Sequence, residues 1–310
     1  RMPPTDAWIQ ERTGIGGRRY STPGKDTTAN MGANAARIAI ERAGIAVEDI
    51  DFIVFATLNP DYHFPGCGVL IQRELGLSSK EIPALDIRTQ CTGFIYGLSI
   101  ADQFVKTGMY DNVLVVGSEI HSSGLDFSEK GRDVSVIFGD GAGAVVVQAS
   151  EKAGTGILTT HLHADGTQAE KLAVLTPSGS APRHLTHEMI DSGRIYPIME
   201  GRYVFKFAVT KFPEVIMEAL NKTGLTPADI DLLIPHQANL RISEAVRHTM
   251  GLPEEKVYNN IMYYGNTTAA SIPIALCEAW EKGLVPDGSL VCLAAFGSGF
   301  TWGSALIRWG

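Results

Sequence analysis

Three short stretches carry residue types suited to covalent chemistry. TQCTGFIYGLSI (89–100) places Cys91 where a strand pattern ends and a helix pattern begins. Free N–H groups and positive potential gather at a helix start, and both favour a thiolate over a thiol. IPHQANLR (234–241) places His236 directly after the apolar run DLLIP. YYGNTTAAS (263–271) places Asn266 after a glycine and before two threonines, where an asparagine otherwise reads as a helix cap. A cysteine, a histidine and an amide at the starts of helices or ends of strands make a nucleophile with donors beside it. In a fourth stretch, FGSGFTWGSA (296–305), glycines admit close backbone approach, and an amide N–H there suits an oxyanion hole. Singly, each has a plainer reading: a packed thiol, a satisfied histidine, a cap, a turn between strands.

The elements that must position these residues alternate along the chain. This predicts an α/β architecture of parallel βαβ units with an antiparallel edge. Residues 26–44 read as a helix, with Met31, Ala35 and Ile38 on one face and Gly44 at its end. DFIVFAT (51–57), PALDIRT (83–89) and NVLVVGSE (112–119) read as strands, and 66–75 and the stretch from Cys91 to Gly108 as helices. VSVIFGDGAGAVVVQAS (134–150) reads as two strands around a glycine turn, and 160–201 as a mostly irregular stretch, long enough to be a wall or lid.

The order then repeats. AGIAVEDIDFIVF (43–55) resembles TGLTPADIDLLIP (223–235) at an offset of 180 residues, and KTGMYDNVLVV (106–116) resembles EKGLVPDGSLVCL (281–293) at an offset of 175. An internal duplication is expected, with halves 1–150 and 151–310; the period is too long for a solenoid. Cys91 precedes Gly108 by 17 residues and Asn266 precedes Gly283 by 17, so the two are expected at equivalent helix starts.

Composition narrows the class. With 310 residues, 45% hydrophobic and 19% charged, the chain is two domains or one large unit, and not disordered. No apolar run approaches the ~20 residues of a membrane helix. The opening RMPPTDAWIQERTG is polar, unlike a signal peptide, so a cytoplasmic protein without a membrane partner is expected. A net charge of −8 disfavours nucleic acid. Cys67, Cys91, Cys277 and Cys292 lack CxxC spacing, against both a zinc site and a disulfide framework. FGDGAGA (138–144) leads into a strand pattern and so offers phosphate no helix N-terminus. His161 and His163 lack a third ligand, so no metal or cofactor is expected.

Taken together, CTGFIYGLS, PHQANLR, GNTTAAS and FGSGFTWGSALIR, with DAWIQERTGI, HFPG and IFGDGAGA before and between them, resemble the β-ketoacyl-acyl-carrier-protein synthase III family of the thiolase superfamily. The resemblance covers essentially the whole chain. Members carry one more strand before DAWI, which points to sequence ahead of Arg1. The resemblance implies a thiolase-like five-layer α-β-α-β-α sandwich of two duplicated βαβαβαββ halves, in a homodimer. It implies that Cys91 takes an acyl group from acyl-CoA and that the backbone N–H groups of Cys91 and Ser298 form the oxyanion hole. His236 and Asn266 would hydrogen-bond the thioester carbonyl of malonyl-acyl carrier protein as CO₂ leaves. Trp8, Arg12, Arg132, Arg202 and Asn239 would contact CoA and its pantetheine arm, and Phe64 would cross the dimer interface to the partner's acyl pocket. Lys206, Arg241 and Arg247 would dock the acidic carrier protein. Arg202 stands where an asparagine is common, Ser298 where a glycine is, and His248 and Thr249 where lysines are frequent. The alternatives are a related acyltransferase or condensing enzyme of secondary metabolism, an olefin-forming relative and a non-catalytic scaffold. The olefin-forming type uses a glutamate base where this chain has Phe64, and a scaffold has no need of Cys91, His236 and Asn266.

Overall fold

The computed structural model describes residues 5–180 and 183–310; residues 1–4 of the polar opening and 181–182 of the long irregular stretch lie outside the described residues. The first half contains α1 (Asp6–Thr13), α2 (Thr28–Ala43), β1 (Phe52–Ala56), α3 (Cys67–Glu74), β2 (Ala84–Ile87), α4 (Gly93–Lys106), β3 (Val113–Glu119), α5 (Arg132–Ser135) and β4 (Gly141–Val147). The second half contains β5 (Gly156–Ala164), β6 (Leu172–Ala173), α6 (His187–Asp191), β7 (Ile198–Met199), α7 (Gly201–Thr223), β8 (Leu232–Pro235), α8 (Leu240–Met250), α9 (Ile261–Tyr264), α10 (Ser271–Glu281), β9 (Leu290–Gly297) and β10 (Thr301–Arg308).

Two four-stranded sheets carry the fold. The first runs β2-β1-β3-β4, with β1 parallel to β2 and β3 and with β4 antiparallel to β3. The second runs β5-β10-β9-β8, with β8 parallel to β9 and with β10 antiparallel to β9 and β5.

Alternation of side chains along each strand sets the layers. Val54 and Ala56 of β1 and Leu293 and Ala295 of β9 face a central core shared with Phe94 and Leu98 of α4 and Ile272 and Leu276 of α10. Ile53 and Phe55 face the opposite way, onto Ala33, Ala36 and Ile40 of α2 and Leu70 of α3. Cys292, Ala294 and Phe296 face Phe212 and Ile216 of α7 and Ile242 and Val246 of α8. The order α2/α3, sheet, α4/α10, sheet, α7/α8 is the expected five-layer α-β-α-β-α sandwich.

The repeat holds at the strands but not at the turn that carries Cys91. Gly44 (φ 69) and Gly224 (φ 71) end α2 and α7 in the same left-handed conformation, which glycine adopts without strain. Cys91, however, is not the counterpart of Asn266. Thr89 (φ −109, ψ 26) matches Thr267 (φ −99, ψ 22), and the next residues, Gln90 and Thr268, share a positive φ of 47 and 51. Each pair opens a 3₁₀ turn, Gln90–Thr92 or Thr268–Ala270, that runs into α4 or α10. Cys91 therefore corresponds to Ala269, and Gly93 to Ser271. Counting back from the closing glycines misleads because α10 has 11 residues where α4 has 14.

Three further expectations change. VSVIF is not a strand: 132–135 is a helical turn, and Val134, Val136 and Ile137 pack with Ile9, Ile15 and Leu125. Short apolar runs do not distinguish helix from strand by period. The stretch 160–201 opens inside β5 and carries β6, α6 and β7. The Met31, Ala35 and Ile38 face of α2 turns away from the core, lining a groove of about 680 Å³ between β4 and α10.

Candidate active site

Cys91 lies in the turn that feeds α4 and is 7% exposed. Burial pushes its thiol up to about 12, and the neighbouring Glu119 carboxylate adds to the rise. Hydrogen bonds from the N–H groups of Ser298 and of Cys91 itself, and from the Thr268 hydroxyl, act in the opposite direction. Cys91 and Ser298, the two residues expected to form an oxyanion hole, line one cavity. β9 approaches this closely because residue 297 is glycine: a Cβ there would lie 2.6 Å from the Cys91 Cβ.

His236 follows β8, and its N–H bonds Ala294 of β9 at 2.8 Å. Its ring Nδ1 lies 2.6 Å from Ser271 Oγ, and that oxygen also takes the Gln237 N–H at 3.4 Å. Ser271 Oγ is close enough to donate to Nδ1, and a ring held in that way carries its proton on Nε2. Among the described residues this Nε2 is buried without a hydrogen-bond partner. Burial lowers His236 to about 3, so the ring is neutral.

Asn266 is 5% exposed and is held by its own N–H to Ile137 O at 2.9 Å and by its carbonyl to Gly139 N at 3.0 Å. Its side-chain oxygen accepts the Thr268 N–H at 2.8 Å, which assigns the amide's NH₂ as the remaining donor. Thr268 holds a φ of 51, a strained conformation for a β-branched residue.

Cys91 opens onto a mainly apolar cavity of about 520 Å³ lined by Leu58, His121, Leu125, Phe138, Thr268 and Ser298. Leu172, Val174, Pro177, Ile195 and Pro197 close its other side, so the stretch expected as a wall is one. Four polar residues around the site escaped sequence reasoning: Thr268, Ser271, His121 and Glu119. Glu119 carried a legible signal, a charged residue ending an otherwise apolar strand. It is fully buried, accepts from the Thr57 hydroxyl (3.1 Å), Leu58 N (2.9 Å) and Asn59 N (3.2 Å), and burial raises it to about 8.

The residues matched to CoA gather in part. The Arg12 guanidinium lies 4.5 Å and that of Arg132 5.9 Å from the Trp8 ring. Asn239 caps α8 and donates to Arg12 O at 3.1 Å. Arg202 is exposed at the start of α7. Lys206 and Arg241 are exposed, with Arg241 5.9 Å from the Phe205 ring. Arg247 is not available for docking as expected. Its guanidinium holds Glu244 at 2.8 Å and the Leu252 carbonyl at 3.1 Å, and its side chain is 17% exposed. Phe64, between β1 and α3, is 87% exposed in the isolated chain.

His161 and His163 both turn to Glu218, at 3.0 and 2.6 Å, and no group of His, Cys, Asp or Glu among the described residues is placed to hold a metal. Cys67 and Cys292 are buried, and burial pushes both thiols up to about 12. No helix of the described residues is long and apolar enough to cross a membrane.

The chain is similar to known proteins over its length. Residues 85–166 match the family model for 3-oxoacyl-[acyl-carrier-protein] synthase III, and 220–309 match that for its C-terminal part. A β-ketoacyl-[acyl-carrier-protein] synthase III of Caldanaerobacter subterraneus subsp. tengcongensis is 46% identical over 98% of this chain and 90% of its own length. The crystal structure of 3-oxoacyl-[acyl-carrier-protein] synthase III from Aquifex aeolicus VF5 superposes with a TM-score of 0.89 at 42% identity, covering 99% of this chain and 92% of that one. A β-ketoacyl-[acyl-carrier-protein] synthase III structure from Thermus thermophilus gives 0.90 at 39% identity over 100% and 92%. Full-length identity at this level, a shared five-layer fold and a buried cysteine on an apolar cavity point the same way: the chain belongs to the β-ketoacyl-acyl-carrier-protein synthase III family of the thiolase superfamily.

Proposed function

We propose that the chain catalyses the decarboxylating condensation of an acyl-CoA primer with malonyl-acyl carrier protein, giving 3-oxoacyl-acyl carrier protein and initiating fatty acid synthesis. The observation that carries this is the buried Cys91, which opens beside Ser298 onto an apolar cavity of about 520 Å³. In the first half-reaction Cys91 attacks the acyl-CoA thioester. The Cys91 and Ser298 N–H groups stabilise the oxyanion, CoA leaves as its thiol with the proton Cys91 gave up, and the acyl chain stays in the cavity. One such donor lowers the barrier by about 2.7–4 kcal/mol.

In the second half-reaction the malonyl carboxylate leaves as CO₂, and its bonding electrons enter the thioester as an enolate. His236 Nε2–H and the Asn266 NH₂ donate to that enolate oxygen. A neutral imidazole suits this role, because it donates a hydrogen bond without giving up its proton to the carbanion. The enolate carbon then attacks the acyl-Cys91 carbonyl, and Cys91 departs as thiolate and takes up one proton. Substrates supply every reacting group, so no resident cofactor is needed.

Trp8, Arg12, Arg132 and Asn239 serve the CoA nucleotide and pantetheine in this reading, with Arg202 further along the same arm. Lys206 and Arg241 serve the carrier protein. The working form is a cytoplasmic homodimer of chains with halves 1–150 and 151–310, in which Phe64 seats at the partner's acyl pocket; its 87% exposure in the single chain supports this. The test is incubation with acyl-CoAs of graded length and branching, read by intact mass. One acyl adduct per chain, absent in Cys91→Ala, is expected; no adduct with any member of the series would remove the proposal.

A further inference from the structure

We propose that the Ser298 side chain latches the wall of the acyl cavity to the turn beside Cys91 and so selects primers by length, an inference that rests on the function proposed above. Ser298 Oγ donates to the Leu172 carbonyl at 2.5 Å. Leu172 opens β6, and with Val174, Pro177 and Ile195 it walls the cavity onto which Cys91 opens. Among the described residues, this is the one hydrogen bond that joins residues 166–199 to anything beyond Asp165 and Glu200, the residues at either end of the stretch.

Within 297–299 only residue 298 has room for such a side chain. A Cβ at Gly297 would lie 2.6 Å from the Cys91 Cβ, and Gly299 holds a φ of 138, which side chains rarely tolerate. Ser298 is also tied on its other side. The Thr301 hydroxyl lies 3.3 Å from the Ser298 carbonyl, 3.4 Å from the Thr89 carbonyl and 2.8 Å from Thr92 Oγ1. Thr89 and Thr92 bracket Cys91, so Ser298 joins the turn of the nucleophile to the wall. The root of the wall is fixed beside the same turn, where Asp165 and Phe300 exchange backbone hydrogen bonds at 2.8 and 2.6 Å.

The consequence is a coupling between primer bulk and rate. A primer too long for the cavity of about 520 Å³ pushes the wall outward. Through the latch, that displacement pulls on residue 298, whose N–H is the donor that serves the acyl carbonyl in this reading. A donor moved off the oxyanion stabilises the transition state less while leaving substrate binding alone. Oversized primers are therefore rejected in the rate of acylation. Without the latch the wall yields and the donor stays in place. The Ser298 side chain touches no reacting atom and is a positioning group, distinct from the backbone N–H of the same residue.

The test compares Ser298→Ala, which removes the hydroxyl, with Ser298→Thr, which keeps it, in the full chain. Amide hydrogen exchange needs no substrate. In Ser298→Ala it should quicken about fivefold across 166–179, the scale of one lost hydrogen bond, and stay unchanged in β8. Ser298→Thr should exchange as the parent does. Single-turnover acylation is then followed by intact mass from butyryl-CoA to palmitoyl-CoA. In Ser298→Ala the ratio of long-chain to short-chain rate constants should rise about fivefold, with half-saturating concentrations unchanged, and Ser298→Thr should return it. Unchanged exchange across 166–179, a uniform fall along the series, or a failure of Ser298→Thr to restore would overturn the latch. No acylation of the parent by any primer would sink the proposed function and the selection with it, while the exchange would still decide whether Ser298 holds the wall.

Discussion

His236 Nδ1 lies 2.6 Å from Ser271 Oγ, and in the other half of the chain the same two places are taken by Ala56 and Gly93. A Cβ at Gly93 would come 2.9 Å from the Ala56 Cβ, so that side is closed by bare packing where this one holds a hydrogen bond. The duplicated fold thus has one polar pair and one apolar pair at matching positions. Ser271 holds the angle of the His236 ring. Ser271→Ala should lower CO₂ release from malonyl-acyl carrier protein about tenfold, the worth of one buried hydrogen bond. The acyl-Cys91 adduct should form as before. Unchanged CO₂ release in single-turnover measurements would show that the ring is positioned by packing alone.

Gly297→Ala tests the approach of β9 to the nucleophile. The added Cβ would meet the Cys91 Cβ at 2.6 Å and the Cys91 nitrogen at 3.1 Å. Every residue of β9 is buried, so the strand has no room to retreat and Cys91 must move. Acylation by acyl-CoA should fall about 100-fold, the scale of loss from misplacing a reacting group by an ångström. A rate within a factor of three of the parent would mean that the sulfur tolerates the shift.

Acid stability follows from the buried histidines. His236 and His121 are lowered to about 3 and about 4 by burial, whereas an unfolded chain protonates them near 6.5. Below pH 6.5 the unfolded state binds more protons, so stability is lost as pH falls through that window, by up to roughly 1.4 kcal/mol per unit for each ring. Glu119, raised to about 8, runs the other way: the folded carboxyl keeps a proton that the unfolded one releases, and stability falls as pH rises from 4.5 to 8. These three groups place maximum stability near pH 6.5. Urea midpoints at pH 4.5 and 6.5 should differ less in His236→Gln than in the parent; an equal difference would mean that His236 titrates normally.

Carrier docking separates the basic residues. Arg241→Glu should raise KM for the carrier protein about fivefold, the effect of reversing one exposed charge, and spare acylation by acyl-CoA. Arg247→Ala should leave that KM alone and lower the melting temperature instead, since its guanidinium serves Glu244 and the Leu252 carbonyl within its own helix end. Steady-state titration with carrier protein and a thermal melt of each variant distinguish the two roles.

The residues of the candidate site were legible because their local signals are strong. Cys91 and Asn266 each stand at the opening of a helix, and His236 closes an apolar strand. Glycines end the helices on both sides of the repeat, and alternation along β1 and β9 announces strands with two apolar faces. The misreadings share a cause. VSVIF is apolar enough for a strand but too short to show a period, and the three residues missing from α10 shifted a count taken from the far end of the helix.

By itself, then, the sequence determined most of the elements and the family resemblance that singles out Cys91, His236 and Asn266 as candidates, because each rests on neighbours in the chain. The tertiary structure alone decided which side chains act on one another. Ser271 reaches His236 from 35 residues away and Thr268 reaches His121 from 147, while Arg247 is drawn off by Glu244. Periodicity and turn chemistry are local, whereas a hydrogen bond depends on where two turns from opposite halves meet. That meeting is set by the packing of α4 and α10 between the sheets, which no count along the chain records.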